Sequence, residues 1–183
     1  PLSEVERAKN YAMVITTNAG LWRYKIGDTI KFTCLNPYRI QITGRTKSHI
    51  NVFGEELMIE NAEMALSKAA KVMNLDVVDY TAGPIFMEAN KKGGHQWLIE
   101  FKNPPKNKAK FIELLDQFLK DENSDYEAKR YKDMALAPPQ LNIAKKNLFY
   151  NWMAEKNKLG GQHKVPRLSN KRDFLEELLK ING

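Results

Sequence analysis

The apolar pattern is strand-like up to about Arg45 and mixes helical with strand-like stretches after it, and this change limits the possible folds more than any other feature. Before it, apolar and β-branched residues come in short runs: Tyr11 to Thr17 (YAMVITT), Thr29 to Leu35, and Tyr38 to Thr43. Such runs predict strands. Leu21 to Ile26 continues as a further extended piece. Turn signals fall at Asn18-Ala19-Gly20, at Gly27-Asp28 and at Asn36-Pro37, so this part reads as all β.

After Gly44-Arg45-Thr46-Lys47 helical spacing appears. A short extended run, His49 to Phe53, meets Gly54, and Glu60 to Met73 follows with Ala62, Ala65, Leu66 and Ala69 on one face. Val77 to Thr81 and Gln96 to Phe101 are strand candidates on either side of the turn NKKGGH. Phe111, Leu114, Leu115, Phe118 and Leu119 fall at i, i+3, i+4, i+7 and i+8, an amphipathic helix. Asp125 to Asp133 predicts a short helix, blocked from continuing by Pro138-Pro139. Leu148, Phe149, Trp152 and Met153 mark another helix, and Phe174, Leu175, Leu178 and Leu179 the last. The expected fold is therefore α+β. A β-rich segment over 1–46 precedes a small mixed α/β domain over 47–183, and the polar junction at 45–49 suits a hinge, though a plain loop would look the same.

Composition narrows the function classes. With 43% hydrophobic residues in 183, the chain can bury a core. A single cysteine, Cys34, excludes an internal disulfide and a cysteine-rich zinc site, and its apolar run predicts a buried thiol. No apolar run reaches the roughly 18 residues of a membrane span, and a cytoplasmic location is the simplest expectation. The net charge of +7 favours anionic partners. Most of the excess is lysine scattered through helical segments, which describes a solvated face better than a nucleic-acid footprint.

No P-loop, nucleophile elbow or HExxH stands in the chain. His49, His95 and His163 lack ligand spacing, and packing or surface roles are expected of them. Three clusters remain. In Tyr24-Lys25-Ile26-Gly27-Asp28, a carboxylate at a bend cleared by glycine can accept hydrogen bonds from two vicinal hydroxyls; a solvated turn would look the same. Gly44-Arg45-Thr46-Lys47, with Gly54-Glu55-Glu56 after it, offers a guanidinium fork for phosphate or hydroxyl oxygens; a solvated strand-end arginine would look the same. Leu159 to Arg167 (LGGQHKVPR) has paired glycines that suit a loop carrying a lysine toward an anionic centre, and equally a flexible turn between two helices.

Taken in order, TTNAGLWRYKIGD, ITGRTKSHINVFGEEL and GGQHKVPR resemble the acyl acid amido synthetases of the auxin-responsive Gretchen Hagen family, particularly its bacterial relatives. GGHQWLIEF and NSDYEAKR extend the resemblance over nearly the whole chain. That family belongs to the adenylate-forming enzymes. The resemblance implies a ligase that uses ATP, with Mg2+, to convert a carboxylic acid into an acyl-adenylate, and then lets an amino-acid amine displace AMP. It also implies that residues 1–46 are the end of a large adenylating domain and that 47–183 form a mobile C-terminal domain. Asp28 would hold the ribose hydroxyls, Arg45 would sit beside ribose or phosphate, and Tyr24 would wall the nucleotide. Lys47 would mark the hinge, and Lys164 would be the catalytic lysine that neutralises charge at the α-phosphate and the acid. Gly54 to Leu57 would be the loop presented to the site in the second half-reaction. No metal ligands stand out.

Two departures from the family pattern bear on these roles. Gln162 and His163 separate Lys164 from the glycine pair, and Pro166 follows it. The family's glycine- and serine-rich phosphate loop and second acidic motif belong upstream of YKIGD and are not among these residues. The chain is thus expected to be a C-terminal portion that depends on the missing N-terminal domain and is silent alone. The alternatives are a small basic nucleic-acid-binding module using Trp22, Trp97 and Trp152, or a portion of an acyl-CoA synthetase-like enzyme.

Overall fold

The computed structural model describes residues 2–45, 49–89, 91–133, 135–158, 160 and 164–183, together with the backbone but not the side chains of Arg45 and Asp133. The chain divides into two compact units, Pro1–Ser48 and His49–Gly183. The observed content is α+β, as the change of pattern predicts.

The first unit is an antiparallel sheet of β1 (Asn10–Ile15), β2 (Tyr24–Leu35) and β3 (Tyr38–Arg45), in that order. The turn at Asn18 to Gly20 closes through Gly20, whose φ of 98° suits glycine. The Gly27-Asp28 turn does not form. β2 runs unbroken through both residues, and the irregularity there is a bulge. On β1 the register steps from Ala12 opposite Thr29 to Val14 opposite Lys25. Ile26, Gly27 and Asp28 therefore outnumber the single residue facing them, and Gly27 absorbs the excess at φ 88°. Ile30 and Phe32 are the buried apolar side chains, with Phe32 edge-on to Tyr11 and Tyr38 at centroid distances of 5.9 and 5.8 Å. Cys34, expected to be buried, is half-buried, because the end of β2 lies beyond this small core.

The second unit opens with a two-stranded hairpin, β4 (His49–Ile50) and β5 (Leu57–Met58), leading into α1 (Ile59–Val72). A three-stranded sheet follows, in the order β6 (Val77–Ile85), β7 (Gly94–Phe101), β8 (Gln140–Ile143). β6 and β7 are antiparallel; β7 and β8 are parallel, so a crossover must join them. That crossover is α2 (Lys108–Glu122) and α3 (Ser124–Arg130), each started by an asparagine. Asn107 accepts from the amide of Lys110 and Asn123 from that of Tyr126. α4 (Leu148–Glu155) and α5 (Asp173–Asn182) complete the unit.

β7 is buried along nearly its whole length because both its faces are covered. Trp97, Ile99 and Phe101 pack with α1 and α2 through Ala62, Ala65, Leu66, Phe111, Leu115 and Leu119. Leu98, on the opposite face, packs with α4 and α5 through Phe149, Trp152, Leu175 and Leu178. These are the apolar stripes read from the sequence.

Candidate functional site

The β2 bulge decides where Asp28 stands. It is half-buried and is the register partner of Arg45, the last residue of β3. On the next pair, Thr29 opposite Gly44, the ladder shifts again before Ile30 meets Ile42. A carboxylate is thus placed between two irregularities, the kind of position at which a bulge re-aims a side chain. Tyr24, at the start of β2, is 50% exposed. Lys47, the expected hinge residue, lies outside the described residues with Thr46 and Ser48.

Lys164 belongs to the second unit and immediately precedes an anchored segment. Thr81 donates its hydroxyl to the carbonyl of Pro166 at 2.6 Å, the amide of Ala82 donates to the carbonyl of Arg167 at 2.9 Å, and that of Ser169 donates to Ala82. Arg167 forms an ion pair with Asp79 and lies 4.7 Å over the ring of Tyr80. Lys164 itself is exposed and lines a groove of about 400 Å³ with Lys158, Glu100, Asn147 and Tyr150. Leu159 and Gly161 to His163 lie outside the described residues. Asp28 and Arg45 are thus brought into register within one unit, and Lys164 stands in the other.

Two buried ionic clusters join residues that the sequence reading did not pair. Glu55, in the turn between β4 and β5, and His95, on β7, have fully buried side chains. Nε2 of His95 lies 2.9 Å from Oε1 of Glu55, and the amide of Phe53 donates to Oε2 at 2.7 Å. Burial by itself would raise the Glu55 carboxyl; the His95 hydrogen bond and the backbone amides outweigh it and hold the group below its ordinary value. In the second cluster Arg130 donates to both oxygens of Asp116, at 2.7 and 2.8 Å, and to the carbonyl of Leu136. Tyr126 donates its hydroxyl to the same Asp116 at 2.8 Å. Burial again opposes the charge on Asp116, and Arg130, Lys120 and Tyr126 overcome it, so this carboxyl is also lowered. The quoted stretches GEE, GGHQWLIEF and NSDYEAKR contain Glu55, His95, Tyr126 and Arg130, but nothing in them pairs these residues.

Among the described residues, no group of three or more His, Cys, Asp or Glu side chains could hold a metal ion, and no helix is long and apolar enough to cross a membrane. Trp97 and Trp152 are buried, which removes two of the three rings a nucleic-acid platform would use. Trp22, expected in a strand, is instead 80% exposed just before β2.

Two family models match the chain in order: the GH3 family central domain over residues 1–45 and the GH3 family C-terminal domain over residues 60–173. The chain belongs to the GH3 family. Among curated relatives, it is 26% identical over 190 residues to indole-3-acetic acid-amido synthetase GH3.3 of Arabidopsis thaliana, covering 97% of this chain and 31% of that protein. It is 27% identical over 180 residues to jasmonoyl–L-amino acid synthetase GH3.5 of Oryza sativa subsp. japonica, covering 92% and 30%. The chain therefore spans about a third of the length of these relatives. These are plant proteins and lend no support to the bacterial type expected from the motifs. The fold matches the solved GH3.15 acyl acid amido synthetase with a TM-score of 0.77 at 21% identity, over 99% of this chain and 34% of that one.

Proposed function

We propose that the chain is the C-terminal portion of an ATP-dependent acid–amino acid ligase. The observation that carries this reading is the ordered match of central and C-terminal GH3 models along one chain whose curated relatives are named as amido synthetases. In the first half-reaction a carboxylate oxygen of the acid attacks the α-phosphorus of ATP and pyrophosphate leaves. In the second, an amino-acid nitrogen attacks the acyl carbon, AMP leaves with the bonding electrons, and the nitrogen loses a proton.

Within that chemistry, Asp28 accepts hydrogen bonds from the ribose hydroxyls, a task for which its position at the bulge suits it. Arg45, its register partner, serves the ribose or phosphate, and Tyr24 offers its exposed ring as a wall for the nucleotide. Lys164 neutralises charge at the α-phosphate and the acid, and Lys47 is the hinge between a 1–46 and a 47–183 domain. Mg2+ enters with ATP; the described residues supply no cluster to bind it, so no step is assigned to a metal held here. An amine acceptor is favoured over coenzyme A because the curated relatives are amide-forming by name.

The test compares a complete ligase carrying this chain with its Asp28→Asn and Lys164→Ala variants in single-turnover adenylation. Both variants are expected to slow acyl-adenylate formation by about tenfold or more, the loss of one charge-assisted contact. Unchanged rates in both would sink the residue roles. The 183 residues by themselves are expected to give no ATP–pyrophosphate exchange, and measurable exchange would overturn that dependence.

A further inference from the structure

Residues 166–170 form no strand or helix, yet they are fixed on two sides. Thr81, itself buried on β6, donates its hydroxyl to the carbonyl of Pro166 at 2.6 Å, and the amide of Ala82 donates to the carbonyl of Arg167 at 2.9 Å. Leu168 is buried and makes a single parallel bridge to Ala82, whose carbonyl accepts from the amide of Ser169. Asn170 reaches the start of the same unit. Its Oδ1 accepts from the amide of Asn51 at 2.7 Å, and its Nδ2 lies 3.3 Å from Nε2 of His49 on β4.

Arg167 adds a side-chain lock. Its Nη1 pairs with Asp79 and donates to the carbonyl of Tyr80 at 3.4 Å, and its guanidinium lies 4.7 Å over the Tyr80 ring. Asp79 also accepts from the amide of Tyr80 at 2.8 Å, so the carboxylate is held in place for the arginine. A segment with no ladder or helix of its own keeps one shape only if such contacts offset the entropy of ordering it. Lys164 stands two residues before the fixed carbonyl of Pro166, and it makes no hydrogen bond or ion pair among the described residues. The main chain is held beside the lysine while its amine stays uncommitted.

We propose that Thr81, Asp79 and Arg167 are positioning residues for Lys164, with Asn170 tying the same segment to β4. They fix the point from which the Lys164 amine reaches the charge that develops in adenylation, a role that rests on the ligase reading above. They act through the main chain, so their weight follows their distance along it. Thr81 holds the carbonyl nearest to Lys164, Asp79 holds the residue after that, and Asn170 lies farthest away.

The experiment measures single-turnover adenylation in a complete ligase carrying this chain, in a cycle with Lys164→Ala. Thr81→Val and Asp79→Asn keep the shape of the side chain and remove the hydroxyl or the charge. Each is expected to slow adenylation by about fivefold or more while the KM for ATP stays within about twofold. Thr81→Ser, which restores a hydroxyl, should recover most of the rate, and Asn170→Ala should cost less than either. In the Lys164→Ala background neither Thr81→Val nor Asp79→Asn should slow the reaction further, because a residue that acts only through the lysine has nothing left to act on. Losses that multiply with that of Lys164→Ala overturn the positioning role, as do wild-type rates in both Thr81→Val and Asp79→Asn. An unchanged rate in Lys164→Ala alone overturns the reading of the lysine instead, so the two failures are told apart.

Discussion

Asp28 and Arg45 are register partners across β2 and β3, one at a bulge and the other at the last position of its strand. The bulge depends on Gly27 at φ 88°, where a Cβ costs about 1 to 2 kcal/mol. Gly27→Ala is therefore expected to lower stability by about that amount and to raise the KM for ATP through displacement of Asp28. Titration of ATP at saturating acid reads the second effect; a KM unchanged beside a lowered melting temperature would detach Asp28 from the nucleotide.

Arg130 links α3 to α2 and to the segment entering β8, with its guanidinium on Asp116 and on the carbonyl of Leu136. Removing it leaves the buried carboxylate with Lys120 and the Tyr126 hydroxyl as partners. Arg130→Ala is therefore expected to cost less than the roughly 3 to 5 kcal/mol of a wholly unpaired buried charge, and Arg130→Ala with Asp116→Ala less than the sum of the two single changes. Denaturant unfolding of the four proteins measures the coupling.

Phe53 lies against Gly93, whose φ is not in the left-handed region, so the clash in Gly93→Ala is purely steric. The expected cost is about 1 to 3 kcal/mol. Phe53→Leu in the same chain should return part of it by opening space; no return would show that something other than the Phe53 ring limits the site.

Both buried carboxyls are lowered in the folded state, Glu55 from an ordinary 4.5 and Asp116 from an ordinary 3.8. Above these ordinary values each contributes its full stabilisation. As pH falls below them and through the lower folded values, the unfolded chain binds more protons than the folded one, and the stabilisation is lost. Stability should thus fall as pH is lowered through this acid range, and Glu55→Gln should flatten part of the slope. Tyr126, raised well above its ordinary 10.0 by burial and then by Asp116, adds a loss on the alkaline side as pH rises past that value. A pH series of urea unfolding midpoints tests both limbs.

The helices were legible because their apolar residues repeat at helical spacing, over nine positions in Phe111 to Leu119 and over six in Leu148 to Met153. β8 was not, since Gln140 to Ile143 is four residues after two prolines and owes its pairing to β7. Gly27-Asp28 read as a turn because a bulge uses the same residue types; only the register against β1 separates the two. The local chemistry of Asp28, Arg45 and Lys164 suited a ligand site and an ordinary turn, strand end or loop alike, and the order of their motifs singled them out. Glu55 and His95 lie 40 positions apart, and no periodicity joins a loop carboxylate to a strand histidine at that distance.

The three tryptophans divide the chain optically. Trp97 and Trp152 are 0% and 2% exposed within the second unit, and Trp22 is 80% exposed in the first. Emission from the buried pair belongs at short wavelength and is shielded from iodide, while that of Trp22 belongs at long wavelength and is open to quenching. Each unit therefore carries an intrinsic fluorophore of its own, and melting or ligand binding in one can be followed without labelling the other.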